Sequence, residues 1–442
     1  MTHKIFNTSD YAALRETLRD MNPVDIAEEF EAFDETPEAA VKYFRMLPKD
    51  TAADVFAYLP NDIQQGIISA IKDYEIKNII DELFIDDAVD FIEEMPAGVV
   101  KRVLSNLPAE KRDIINHFLK YPEGSAGSIM TIEYIDLKMD LTVGDAFARI
   151  RREGADVETF YTCYVTDAER RIVGAASVRA LLLASPDDKI GDVMERGVIY
   201  AATGDDKESL ANDFRKYGLL AMPVVDNENR LVGIVTVDDV MEVQEDEATE
   251  DFEIMAAVSP LDEPYLKTSV WQLTRSRVLW LLLLMLSATV TGSIIGGFEE
   301  ALATVPALVA FIPMLMDTGG NAGSQSSTLI IRGMALEEIE LRDVLRVFWK
   351  ELRVALLCGA ALSIVNFLRI VVMGGGVPMA LTVTGTLFLT IMLSKSVGCL
   401  LPLGAKKLRL DPAVMASPVI TTIVDAGALL LYFGIAKAIL KL

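Results

Sequence analysis

The chain has 442 residues and carries 41 Lys and Arg against 65 Asp and Glu, a formal net charge of −24. The charge is uneven: residues 1–270 hold 27 basic against 55 acidic side chains, whereas residues 271–442 hold 14 against 10. Such an acidic first half excludes a nucleic-acid partner, which needs a basic face, and the second half is too hydrophobic for anything but a membrane domain.

Met1–Asp10 has no apolar h-region, which predicts no cleaved signal peptide and a cytosolic N-terminal half. Cys163, Cys358 and Cys399 offer no disulfide framework, and with only His3 and His117 the chain is poorly equipped for a zinc site. Residues 11–120 read as a stack of short helices. Met46-Leu47-Pro48, Tyr58-Leu59-Pro60, Glu94-Met95-Pro96 and Asn106-Leu107-Pro108 recur with 12-residue spacing inside each pair, each Pro fitting the first turn of a helix. Acids crowd Asp81, Glu82, Asp86, Asp87, Asp90, Glu93 and Glu94. They are either a solubilising surface or one that holds divalent cations.

Between 121 and 248 the period changes. Short β-like runs (Phe160–Val165, Ile172–Ala175, Ala221–Val225, Leu231–Val235) alternate with helical ones. Tyr164-Val165-Thr166-Asp167 and Arg171-Ile172-Val173-Gly174 are echoed 59 residues later by Val224-Val225-Asp226 and Arg230-Leu231-Val232-Gly233. Gly127-Ser-Ile-Met130 is echoed by Gly191-Asp-Val-Met194. This resembles a tandem pair of CBS domains, regulatory modules often found with nucleotides or cations. The resemblance makes Thr236 and Asp239 a ribose-binding pair in the second copy, with ATP as a candidate ligand. The first copy has Ser177 and Ala180 there. A module that binds no nucleotide and only moves is the alternative.

An acidic run follows: Asp238, Asp239, Glu242, Glu245, Asp246, Glu247, Glu250, Asp251 and Glu253. On a helix, Asp239, Glu242, Asp246 and Glu250 share a face, where like charges repel unless something positive lies between. Thr268–Arg277, with Trp271, Lys267, Arg275 and Arg277, is an amphipathic stretch suited to the membrane interface.

Five spans fit the rest, near Val278–Phe298, Val305–Ile331, Val354–Met373, Met379–Leu403 and Pro412–Leu440. Arg275 and Arg277, then Arg332 to Arg353, then Lys406, Lys407 and Arg409 flank one side, which predicts a cytosolic N-terminus and an outside C-terminus. Arg369 and Lys395, near span ends, are expected to snorkel rather than bind a ligand.

Asp425 is the lone acid of the last span, roughly 20 Å inside a helix that starts at Pro412. A carboxylate there costs at least ~2.5 kcal/mol if left facing lipid. The second span holds Asp317-Thr-Gly-Gly-Asn321-Ala-Gly-Ser-Gln325, whose polar groups must face protein or water. Gly319, Gly320 and Gly323 allow either close packing or a broken helix. Asp411-Pro412 reads as a helix start, Pro418 as a residue that frees the Val414 carbonyl, and Thr421 and Thr422 as hydroxyls one turn before Asp425. Carboxylate, hydroxyl and carbonyl oxygens without sulfur or imidazole are hard-cation chemistry, and Mg²⁺, which dehydrates reluctantly, suits few carboxylates.

The Asp317–Gln325 run, together with Asp411-Pro-Ala, Ser417-Pro418, Thr421-Thr422, Asp425 and Gly427, resembles the MgtE family of magnesium channels, as does the order of domains. The resemblance implies a multidomain membrane protein in four parts. These are an acidic, α-helical superhelical N domain (1–120), α/β tandem CBS domains (121–248), a connecting plug helix (249–277) and a five-helix transmembrane domain (278–442). It implies a homodimer in the cell membrane, with a pore lined by the second and fifth spans and Asp425 as the pore aspartate. Asp317, Asn321, Thr421 and Thr422 are the further pore candidates. Asp239, Glu242, Glu247 and Glu250 match the family's acidic sensor stretch, and Asp87, Asp90 and Glu94 are the N-domain acids set against them. The cargo and regulator is then Mg²⁺, with Co²⁺, Ni²⁺ and Mn²⁺ as further ions. A Na⁺-coupled Mg²⁺ exchanger and a non-conducting membrane-anchored Mg²⁺ or nucleotide sensor are the competing readings. With no nucleophile–base pair or Walker-type loop, an enzyme is not expected.

Overall fold

The computed structural model describes residues 6, 10–33, 37–261 and 265–441, so most of Met1–Asp10 lies outside the described residues. The chain forms two compact units, Met1–Gln244 and Glu245–Leu442.

The first unit begins with short helices: α1 (Tyr11–Asp20), α2 (Pro23–Phe30), α3 (Pro37–Phe44), α4 (Lys49–Ala57), α5 (Asn61–Ala70), α6 (Asp73–Glu82), α7 (Ile85–Glu94), α8 (Ala97–Asn106) and α9 (Ala109–Phe118). Pro48, Pro60, Pro96 and Pro108 stand at the N-caps of α4, α5, α8 and α9, one residue before the first turn. The missing N–H and fixed φ of proline suit that position. Helices two apart pack on each other (α2 on α4, α4 on α6, α6 on α8, α7 on α9), which gives the stacked superhelix. Basic side chains satisfy helix C-termini across the stack. Arg102 donates to the carbonyls of Ile68 and Ile71, and Lys111 to those of Ile80 and Leu83.

Two small sheets follow. The first copy comprises β1 (Tyr134–Lys138), α10 (Val143–Glu153), β2 (Thr159–Thr166), β3 (Ile172–Ser177) and α11 (Val178–Leu183). The second comprises α12 (Ile190–Val193), β4 (Ala201–Ala202), α13 (Lys207–Tyr217), β5 (Ala221–Val225) and β6 (Leu231–Thr236). Each sheet has one parallel and one antiparallel pairing in the order of the chain. Val165 pairs with Gly174 and Val224 with Gly233, each pair followed by a break in register, so the 59-residue echo is a structural duplication. The lead-in segments cross over. Thr131 pairs with Ile234, and Glu195 with Ala175. A Cβ on Gly233 would meet Met130 Sδ at 2.7 Å and one on Gly174 would meet Met194 Sδ at 2.5 Å, so each echoed Met lies on the glycine of the other copy. The short helices and the second sheet share one apolar core, from Leu14 through Ile80 and Phe118 to Val240.

The acidic run folds as α14 (Val237–Met255). Thr268–Arg277 is not a separate connecting helix. It is the start of α15 (Val270–Gly296), opened by a Ser269–Gln272 capping box and continuous with the first span. Next come α16 (Glu299–Thr304), α17 (Ile312–Ala335), α18 (Val344–Val372), α19 (Val377–Lys407) and α20 (Ser417–Leu440). Among the described residues four helices are long and apolar enough to cross a membrane: Val270–Gly296, Leu341–Val372, Val377–Lys407 and Pro412–Leu440. The 24-residue α17, which carries the polar run, is not among them; it packs between α19 and α20. Buried Leu315, Leu387, Ile391, Leu429, Tyr432 and Phe433 form the core of this unit.

Candidate functional site

In the second unit, α17 is continuous from Ile312 to Ala335, so its glycines serve close packing rather than a helix break. A Cβ on Gly320 would lie 2.8 Å from Thr421 Cγ2, and one on Gly323 would lie 2.6 Å from Ile420 Cγ2. With α17 drawn so near, Ser394 of α19 donates to the Gly319 carbonyl. The rest of the run divides by face. Ala322, Gly323, Ser326 and Ser327 are buried, whereas Asp317, Asn321, Gln325 and Thr328, spaced four, four and three residues apart, are exposed along one stripe. Gln325 and Thr328 extend the predicted pair Asp317 and Asn321, and the same spacing makes them legible in the sequence.

Asp425 opens onto a cavity of ≈ 470 Å³. Its polar lining is Thr421 and Thr422 from α20 and Ser287 and Thr291 from α15; Met316 and Leu284 close its apolar side. Thr421 and Thr422 donate to the Pro418 carbonyl at 2.9 and 3.1 Å, which leaves their oxygen lone pairs as acceptors. Ser287 Oγ lies 3.3 Å from Thr422 Oγ1. Asp317 is within electrostatic reach of Asp425. Ser287 and Thr291 escaped the sequence reading because nothing in a first span says which face meets the fifth. Pro418 occupies the first turn of α20 instead of its interior, so it initiates the helix and does not break one. Asp411 is a cap: its side chain accepts from Ala413 N at 2.8 Å.

In the first unit a second constellation forms between α7 and the start of α14. Asp87 and Asp90 of α7, and Asp239 and Glu242 of α14, share it with Asp86 and Glu158. Burial, reinforced by the neighbouring carboxylates, pushes Asp87 up to about 6, Asp90 to about 7 and Glu158 to about 8, and Asp86 well above the usual range. Asp239 is raised to about 6 by burial, with Asp238 and Glu242 adding to it, against hydrogen bonds from Thr236. Thr236 Oγ1 donates to Asp239 Oδ2 at 2.6 Å, so the ribose-type pair is joined to itself and Asp239 also belongs to the acid cluster. Glu94 stays outside this group: it is exposed and accepts from Asn61 at 3.1 Å. The sequence did not single out Asp86, which is buried, or Glu158, which is half-buried, as ligands.

The acidic stretch also divides. Glu247 and Glu250 stand near Asp251, which burial and the charges of Asp411, Glu247 and Glu250 raise to about 6. Ile254 and Met255, at the end of α14, pack with Ile330, Ile331 and Met334 of α17 and with Cys399 and Leu403 of α19.

The carboxyl clusters supply only hard oxygen donors. Glu158 Oε2 is buried without a hydrogen-bond partner among the described residues, the mark of a group awaiting a cation or a proton. Among the described residues no trio of His, Cys, Asp or Glu is grouped tightly enough to hold a bare metal ion.

Three family descriptions match the chain: "Divalent cation transporter" (MgtE) over residues 312–435, "MgtE intracellular N domain" over 21–124, and "CBS domain" over 190–246. The magnesium transporter MgtE of Thermus thermophilus is 37% identical over 438 residues, 98% of this chain and 96% of that protein. Its Bacillus subtilis counterpart is 33% identical over 96% and 93%. A solved cytosolic domain of the Mg²⁺ channel MgtE in complex with ATP is 33% identical, covers 54% of this chain and 97% of its own, and superposes with a TM-score of 0.51. The soluble part of a magnesium transporter gives 28% identity, coverage of 55% and 95%, and a TM-score of 0.52. The chain belongs to the MgtE family of magnesium transporters.

Proposed function

We propose that Mg²⁺ passes this multi-pass membrane protein along a path lined by α17 and α20 of two copies of the chain. The observation that carries it is Asp425, an acid in an apolar helix, opening onto a hydroxyl-lined cavity with Asp317 in electrostatic reach. A hydrated divalent ion gains from the carboxylates by charge and from Thr421, Thr422 and Ser287 by hydrogen bonds from its waters. The membrane half then crosses five times, with α17 as the polar second span. The Arg332–Arg353 and Lys406–Arg409 connections face the cytosol, as does the N-terminus, and the C-terminus lies outside. The four parts 1–120, 121–248, 249–277 and 278–442 remain the working division, with the connecting role in α14. Co²⁺, Ni²⁺ and Mn²⁺ share the oxygen-ligand chemistry as competitors.

Regulation follows from the acid clusters. When cytosolic Mg²⁺ is plentiful, Asp86, Asp87, Asp90 and Glu158 hold hydrated ions against Asp239 and Glu242, and Glu247, Glu250 and Asp251 hold them against Asp411. The second set fixes the end of α14 beside α17 and closes the path. An ion shifts such an equilibrium only by binding the closed form better, and bridged acids do so. ATP, bound by the solved MgtE cytosolic domain, is a ligand for the CBS pair here through Thr236 and Asp239.

The test is Mg²⁺ flux of the full chain in liposomes, with and without a sodium gradient. Asp425→Asn keeps shape and removes charge, so flux should fall at least about 100-fold, in the range seen when a preorganised charge is removed, while the dimer persists. Wild-type flux in that variant sinks the path. Flux that requires sodium establishes the exchanger instead.

A further inference from the structure

Lys395 does not snorkel. It is 5% exposed and lies roughly 18 Å by helix rise from the Lys407 end of α19, beyond the reach of its stem. Its Nζ donates to Ser326 Oγ of α17 at 3.1 Å and stands 3.9 Å from Glu351 Oε2 of α18. Ser326 Oγ in turn donates to Glu351 Oε2 at 2.6 Å, and the Ala322 carbonyl lies 3.5 Å from Nζ. Three helices are therefore joined by one charge-assisted chain inside the membrane domain. Apolar residues of similar size would pack there at no electrostatic cost, so a buried ion pair is weak support for stability and best attested as a device that fixes register.

Its place suggests what it registers. Ser326 and Ala322 lie on the buried side of α17, behind the Asp317, Asn321, Gln325 and Thr328 stripe. One turn further along, Ile330 and Cys399 belong to the apolar cluster that receives Ile254 and Met255 of α14. We propose that Glu351 and Lys395, bridged by Ser326, are positioning residues for cation passage. They set the rotation and height of α17 so that its polar stripe meets the ion, and they sit in the layer that feels the end of α14. This rests on the reading that α17 lines the path.

Two variants test it in the full-length dimer in liposomes, with a Mg²⁺ dye. Ser326→Ala removes the bridge and keeps both charges. Glu351→Gln with Lys395→Met removes both charges and leaves neither unpaired. Both should raise the half-saturating Mg²⁺ concentration by about 2- to 30-fold, the range of coupling through a packed network, and lower the maximum flux. A merely structural role lowers flux in proportion to folded dimer and leaves half-saturation alone; that result in Ser326→Ala overturns the proposal, even if the double variant does not fold. Asp425→Asn run alongside separates the two ideas. If it still conducts, the path is wrong; if it is silent while Ser326→Ala keeps wild-type half-saturation, only the positioning role falls.

Discussion

Gly320 and Thr421 meet so closely that side-chain size at this one contact controls how α17 and α20 pack. Gly320→Ala places a methyl 2.8 Å from Thr421 Cγ2, an overpacking that costs about 1–3 kcal/mol. Adding Thr421→Ser removes Cγ2 and keeps the hydroxyl. The thermal midpoint in detergent should therefore drop in the single variant and return in the double, helped by the roughly 1 kcal/mol helix preference of Ala over Gly. A single variant as stable as the wild type would show that the helices are not in this contact. Asp425 and its threonines were legible in the sequence because a lone acid in an apolar span has few uses. The bonding of Lys395 was not, since its partner Ser326 is 69 positions away and neither residue signals the other.

At the scale of elements, α7, the residue before β2 and the first turns of α14 bring together carboxyls that prefer to be neutral. Asp87 and Asp239 at about 6, Asp90 at about 7 and Glu158 at about 8 all lie above the ordinary carboxylate value near 4. Between pH ~4 and ~8 the folded form thus holds more protons than the unfolded chain, and stability is lost as pH rises through that window. In chelator, the melting of the cytosolic half of the full chain should move to lower temperature from pH 5 to pH 8. Millimolar Mg²⁺ should restore it at pH 8 by taking the place of the protons. Asp87→Asn with Asp90→Asn should flatten both effects; a melting point indifferent to pH in chelator would mean these acids do not face one another. The sequence reading set Asp87, Asp90 and Glu94 against the acids of α14, and Asp87 and Asp90 do lie near Asp239 and Glu242; it did not single out Asp86 or Glu158, whose place depends on how segments far apart in the chain pack. It also ran Asp239 to Glu250 together, although the helix delivers its two ends to different neighbours. The strands β2, β3, β5 and β6 were legible from their apolar runs, whereas β1 and the two-residue β4 were too short or too polar to register.

For the whole molecule, the stripe Asp317, Asn321, Gln325 and Thr328 is uncovered in a single chain. A membrane does not tolerate such a surface against lipid, and in the proposed dimer a two-fold axis beside it would double the acids available to a divalent ion without further sequence. With Cys163, Cys358 and Cys399 replaced by Ser, a single cysteine at Gln325 should crosslink two copies, whereas one at lipid-exposed Leu368 should not. Equal crosslinking at both sites, or monomers alone at Gln325, would place the stripe elsewhere. The sequence counted this region as a span, but α17 falls outside the helices apolar enough to cross a membrane because its polar Asp317–Gln325 run leaves it apolar on one side only.

The crossed methionines of the duplicated sheets have an evolutionary and practical consequence. Because Met130 covers Gly233 and Met194 covers Gly174, neither copy owns its own lid, and a gene that lost one copy would leave the other with a bare glycine and an unpaired strand edge. The exchange ties the two copies to each other, while positions outside it differ between them, as Ser177 and Ala180 do from Thr236 and Asp239. Residues 190–246 expressed alone should show no cooperative melting.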